Sequence, residues 1–144
     1  MVLDDDETVR HFIQTTLEIE GFRVRSGRDG RNIVEGARQF KPDLIISDMM
    51  MPNGGGFELV RALQGDPETA KIPVLLISGH GFDASTKAMF QQERNVTGFL
   101  EKPLRPNQFT SRVHTLLNTF TSEERIIRQR KNTDLDNERF KDLM

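Results

Sequence analysis

Apolar residues along this chain come in short bursts of two alternating kinds. Val2-Leu3 is a stub that ends at once in Asp4-Asp5-Asp6-Glu7, after which Val9, Phe12, Ile13 and Leu17 recur at helical spacing until Gly21. Phe22-Arg23-Val24 is a short strand candidate, and Ile33, Val34, Ala37 and Phe40 mark a second helix closed by Lys41-Pro42. Asp43-Leu44-Ile45-Ile46-Ser47-Asp48 reads as a buried strand, since a continuous apolar run is what a parallel sheet covered on both faces requires. Pro52-Asn53-Gly54-Gly55-Gly56 must be a loop, followed by a helix over 57–63 and a second buried strand over 72–78. A helix over 84–93, a short strand Gly98-Phe99-Leu100 and a helix faced by Phe109, Val113, Leu116, Leu117 and Phe120 complete the pattern.

Strand and helix thus alternate five times within residues 1–120. Right-handed crossovers between parallel strands put helices on both faces. The expected fold is α/β: a doubly wound, flavodoxin-like five-stranded parallel sheet, with residues 121–144 as a charged helical extension or linker. In such sheets ligands bind at the carboxyl ends of the strands.

Composition narrows the partners more than the fold. Over 144 residues the formal net charge is −2, so no large basic face is implied and direct nucleic-acid binding by this chain is not expected. There is no cysteine, which removes disulfides and thiolate metal ligands. No apolar run approaches the ~18 residues of a membrane span, and Met1-Val2-Leu3 opens no signal-peptide core. A cytoplasmic protein without membrane association is the expectation.

Four features fall at predicted carboxyl ends: Asp4-Asp5, Asp48, Ser78 and Lys102. Singly each has a bland reading, as helix cap, turn residue or surface lysine. Together they make chemical sense. Carboxylates at this range repel by roughly 1–4 kcal/mol per pair at effective dielectrics of 80–20. Such a cluster calls for a cation, and hard oxygen donors without His or Cys point to Mg²⁺. Mg²⁺ recruits phosphate oxygens, a carboxylate can be the nucleophile that accepts a phosphoryl group, and Lys102 and the Ser78 hydroxyl can stabilise its oxygens.

Val2-Leu3-Asp4-Asp5-Asp6-Glu7-Thr8-Val9-Arg10, Leu44-Ile45-Ile46-Ser47-Asp48-Met49-Met50-Met51-Pro52, residues 74–79 and Gly98-Phe99-Leu100-Glu101-Lys102-Pro103 resemble, in order and spacing, the motifs of receiver domains of two-component response regulators. The resemblance covers residues 1–120. It implies that Asp4 and Asp5 are the metal-binding acidic pair, that Asp48 is the phosphoacceptor, and that the backbone carbonyl of Met50 completes the metal site. Ser78 would be the switch hydroxyl, Phe99 the aromatic that follows it, Lys102 the family's lysine and Lys102-Pro103 a cis peptide. Implied partners are a sensor histidine kinase or phosphotransfer protein, an output domain in cis, and a second copy met through the fourth helix, fifth strand and fifth helix. The chain itself would catalyse only its own phosphorylation and dephosphorylation.

Two departures bear on these expectations. Where the family often has Asp before the glycine opening the third helix, this chain has Gly55, which predicts a looser loop. Only Met1-Val2-Leu3 precede the acids, so an earlier start and a longer protein are expected. The segment 121–144 has six acidic and six basic residues, with Ile126, Ile127, Leu135, Phe140 and Leu143 as its main apolar positions. A heptad carried on from Phe109 meets Glu123, Arg130 and Asp134, which argues against a long coiled coil. Among rival readings, an aspartyl-nucleophile phosphatase needs an acid two residues after Asp48, where Met50 stands. A pseudo-receiver would not need Asp4, Asp5, Asp48, Ser78 and Lys102 together. A flavin domain would need a polar phosphate loop where Asp4-Asp5-Asp6-Glu7 would repel the ligand.

Overall fold

The computed structural model describes residues 1–142; Leu143 and Met144, with the side chains of Ser122, Phe140 and Asp142, lie outside the described residues. The elements run β1 (Val2–Leu3), α1 (Glu7–Ile19), β2 (Ser26–Gly27), α2 (Ile33–Phe40), β3 (Ile45–Asp48), α3 (Gly56–Gln64), β4 (Val74–Ser78), α4 (Ala84–Gln91), β5 (Val96–Glu101), α5 (Pro106–Leu117) and α6 (Ser122–Asp142). All strand pairings are parallel, in the order β2-β1-β3-β4-β5. The order reverses at β1 and β3, and that reversal opens the crevice above their carboxyl ends. Residues Met1–Pro106 form one compact unit and Asn107–Met144 a second.

The apolar runs behave as a parallel sheet demands. Ile45, Val74, Leu75, Leu76 and Ile77 have no exposed surface. Leu3, Ile45, Val74 and Leu76 join Ile33 and Ala37 of α2 and Leu59, Val60 and Leu63 of α3 in one cluster. Their neighbours Val2, Ile46, Leu75 and Ile77 point the other way by the pleat and are equally buried. Each fully buried Leu or Ile contributes about 1.5–3 kcal/mol.

Helix α1 starts where Asp6 Oδ1 accepts from the N–H groups of Thr8 and Val9. It ends as the sequence predicts, at Gly21 (φ 93°), whose N–H bonds Glu18 O while Phe22 N–H bonds Leu17 O.

Two expectations need correction. The strand placed at Phe22-Arg23-Val24 forms instead at Ser26–Gly27. The register sets Val2 opposite Ser26 and Leu3 opposite Gly27, so the paired positions lie beyond the apolar segment 22–24. Phe120, assigned to the face of the last helix of the fold, lies beyond that helix. Asn118 adopts a left-handed conformation (φ 54°), its N–H bonds Thr115 O and the Thr119 N–H bonds His114 O, closing α5. Three residues later, Thr121 N–H donates to Glu124 Oε2 and Glu124 N–H to Thr121 Oγ1, a reciprocal capping box that opens α6. The predicted helical extension is therefore a separate helix, and any heptad carried over from α5 is broken. Arg128 stacks 3.6 Å over the Phe120 ring, within this second unit.

The three-glycine loop is close-packed rather than loose. Gly54 (φ 117°) lies against Gly30, Gly56 N–H donates to Met49 O, and a Cβ at Gly55 would meet Met49 O at 3.0 Å. A Cβ on Gly30 would stand 2.8 Å from the Gly54 carbonyl oxygen, a backbone atom with little room to retreat. Gly30→Ala is expected to destabilise the protein by about 1–3 kcal/mol, read as a lower urea midpoint at unchanged slope.

Candidate functional site

The carboxyl ends of β1, β3 and β5 bring together the acids and the lysine that the sequence singled out. Asp4 is fully buried, Asp48 nearly so, and Asp5 exposed; carboxylate oxygens from all three lie within 4.8 Å of one another. Lys102 enters from the end of β5, with its Nζ 2.8 Å from Asp4 Oδ2 and 3.6 Å from Asp48 Oδ2. Its peptide bond to Pro103 is cis, as the motif implies.

Hydrogen bonds hold three of the polar groups of Asp4. Its N–H donates to Gly27 O, its Oδ1 accepts from Asp6 N–H at 2.9 Å, and its carbonyl accepts from Arg10 Nη1 at 2.8 Å. Oδ2 differs. It meets the Lys102 ammonium as an ion pair, but no aligned hydrogen-bond donor reaches it among the described residues. A buried carboxylate oxygen so placed, in a cluster of three carboxylates without His or Cys among the described residues, suits a hard divalent cation.

Charge balance shows in the titration of the pair. Burial, and next the Asp4 charge, raise the Asp48 pKa above 3.8, against the opposing pull of Lys102 and of a hydrogen bond from Met50 N–H. Burial alone would lower Lys102, yet Asp4 and Asp48 outweigh it and raise its pKa above 10.5.

Ser78 reaches the same rim, since its carbonyl accepts the Lys102 N–H at 2.8 Å. Its hydroxyl is engaged within its own loop, donating to Gly81 O and accepting from His80 N–H, each at 3.2 Å. Phe99 stands apart from the acids, in an aromatic row that sequence reasoning missed. Its ring centroid is 4.9 Å from Phe82 and 6.3 Å from Phe90, and Phe90 is 5.7 Å from Phe57. The signal was available: Phe82 stands just before a mostly polar helix and Phe90 lies within it. Arg10 was also passed over, one turn into α1. Met50 contributes its N–H to Asp48, with its side chain exposed.

Residues 1–114 match the family profile of the response regulator receiver domain. The chain belongs to that family. It is 29% identical to protein PilH of Pseudomonas aeruginosa over 81% of this chain and 95% of that one. It is 33% identical to the response regulator PleD of Caulobacter vibrioides over 81% of this chain and 25% of PleD. Among solved structures, the chemotaxis protein CheY4 of Vibrio cholerae superposes with a TM-score of 0.74 at 28% identity, covering 80% of this chain and 94% of that one. A response regulator of Chloroflexus aurantiacus gives 0.72 at 28% identity, covering 81% and 94%. The chain thus spans nearly all of PilH, about half of the transcriptional regulator RpaA of a Synechocystis strain and a quarter of PleD. It is a receiver domain of the two-component type, a phosphorylation-based signalling switch of flavodoxin-like fold. Receiver domains of this family take their phosphoryl groups from histidine kinases or phosphotransfer proteins. No helix among the described residues is long and apolar enough to cross a membrane.

The raised Asp48 pKa has a direct consequence for stability. Asp48 binds its proton more tightly folded than unfolded, so its contribution to stability rises as pH falls through the raised value towards 3.8. Above that window the ionised carboxylate is a cost. Asp48→Asn is expected to stabilise the metal-free protein at neutral pH by about 1 kcal/mol. The gain should shrink as the pH of urea unfolding is lowered towards the ordinary carboxylate range.

Proposed function

We propose that this receiver is phosphorylated on Asp48 in a Mg²⁺-dependent reaction. The observation behind the reading is the buried Asp48 carboxylate, ringed by Asp4, Asp5 and the Lys102 ammonium at the sheet's switch point. Asp4, Asp5 and Asp48, with the Met50 carbonyl, would hold the Mg²⁺, which neutralises charge on the phosphoryl oxygens and on the acids.

Asp48 attacks the phosphorus of a phosphohistidine or a small acyl phosphate. A new O–P bond forms as the P–N or P–O bond breaks, and the bonding pair leaves with the donor. Lys102 turns from Asp48 to a phosphoryl oxygen and keeps its pairing with Asp4. Hydrolysis of the acyl phosphate later returns the carboxylate. The chain acts on no other substrate, works in the cytoplasm without binding nucleic acid itself, and serves an output region in cis or a partner met through α4, β5 and α5. Residues 1–120 carry the switch and 121–144 the connection.

Asp48→Asn should abolish uptake of acetyl phosphate, read as loss of the phosphoryl mass. Asp5→Asn should abolish Mg²⁺-dependent uptake without unfolding the protein, and modestly raise the melting temperature of the metal-free form, because Asp5 is exposed and its loss relieves repulsion. Wild-type uptake at an unchanged site in Asp48→Asn overturns the reading.

The Ser78 hydroxyl is the proposed relay. A phosphoryl oxygen accepts its hydrogen bond in place of Gly81 O, and the loop carrying Phe82 shifts against Phe99. Binding of the phosphoryl group to one of two packings is enough to shift the population. Beryllofluoride-treated Ser78→Ala should lose the amide shifts seen in wild type over 84–101. Equal shifts in both proteins would exclude Ser78 as the relay.

A further inference from the structure

The acids of β1 are aimed by a closed circuit of hydrogen bonds that runs through the first turn of α1. Asp4 Oδ1 accepts Asp6 N–H, Asp6 O accepts Arg10 N–H at 2.9 Å, and Arg10 Nη1 returns to Asp4 O at 2.8 Å. Asp6 also caps the helix through Thr8 and Val9. Asp4 O belongs to a fully buried residue just past the last paired position of β1, where the parallel ladder has stopped. A buried carbonyl there needs a donor from elsewhere. Among the described residues the donor that reaches it is the guanidinium, which arrives on a half-buried side chain six residues on.

That carbonyl belongs to the Asp4–Asp5 peptide, so fixing it fixes the plane from which both carboxylates project. Without the bond, the peptide can rotate about ψ of Asp4, and Asp5, which is exposed, loses its bearing on Asp48. We infer that Arg10 is a positioning residue of the acidic site, acting through the Asp4 carbonyl to hold the carboxylates of Asp4 and Asp5 towards Asp48 in cation-binding geometry. The inference rests on the proposed Mg²⁺ reading of those acids and names a residue that reading does not use.

Two physical effects of Arg10 have opposite signs, which makes the assignment decidable. As a bare cation near three carboxylates it would compete with Mg²⁺, and its removal would tighten binding. As a positioning donor its removal loosens binding, as loss of outer-shell partners does, typically by 10–100-fold. Arginine also presents a planar fork on a long stem, so lysine can restore the charge but only part of the geometry.

The test is Mg²⁺ titration of wild type, Arg10→Met, Arg10→Lys and Asp5→Asn, followed by calorimetry and backbone amide shifts because the chain has neither Trp nor Tyr. Melting temperature without metal is measured in parallel. Arg10→Met should bind Mg²⁺ about tenfold more weakly, Arg10→Lys should fall between it and wild type, and acetyl phosphate uptake at saturating Mg²⁺ should return towards the wild-type rate. The Asp4 and Asp5 amides should move in metal-free Arg10→Met. Affinity equal to or tighter than wild type in Arg10→Met overturns the inference, whatever the melting temperature does. If Arg10→Met does not fold, Arg10→Lys decides alone: weakened affinity supports the assignment and wild-type affinity overturns it. Wild type that binds no Mg²⁺, or binds it undiminished in Asp5→Asn, overturns the metal reading itself and this assignment with it.

Discussion

Three carboxylates share one rim of the sheet, and the Lys102 ammonium faces two of them. The parallel order puts β1 beside β3, so Asp4 and Asp48 must meet at their carboxyl ends. Lys102 comes from β5 and reaches past β4 to contact both. Gly79 lies along that path: a Cβ there would already stand 3.8 Å from Lys102 Cδ, and a larger side chain would press on the lysine stem. Burial first, and the Asp4 charge next, keep Asp48 harder to ionise than a free carboxylate despite the ammonium. Such a site stores repulsion that a divalent cation and a phosphoryl group can exchange for attraction.

Much of this was readable in the residues. Buried strands announce themselves when both faces are covered, so 43–48 and 72–78 were placed to within two residues. The acids and Lys102 followed, because a residue ending such a strand can only lie on the rim. What failed to show was set by registers that no local pattern encodes. Phe22-Arg23-Val24 has strand composition, yet the residues that pair with β1 are Ser26 and Gly27, whose own composition does not mark them as strand. Phe120 continues the apolar spacing of α5, yet Asn118 in a left-handed conformation ends that helix first. Gly55 looked like lost restraint; in three dimensions its Cβ position stands 3.0 Å from the Met49 carbonyl oxygen, so the backbone packs closely there without a side chain.

On the proposed reading, the Ser78 loop carries chemistry at the rim towards α4 and β5. Two hydrogen bonds hold the hydroxyl, to Gly81 O and from His80 N–H, each of order 1 kcal/mol net. A bond to an anionic phosphoryl oxygen is roughly twice as strong as a neutral one, so on the proposed reading it would outweigh the bond donated to Gly81 O. The residue after Gly81 is Phe82, whose ring lies against Phe99, and Phe99 in turn meets Phe90 of α4. Releasing Gly81 therefore loosens the same loop that supplies one wall of the aromatic row. On the proposed reading, Phe99 needs no empty cavity to turn into: the wall and the hydroxyl that holds it are parts of one five-residue segment, and they move together.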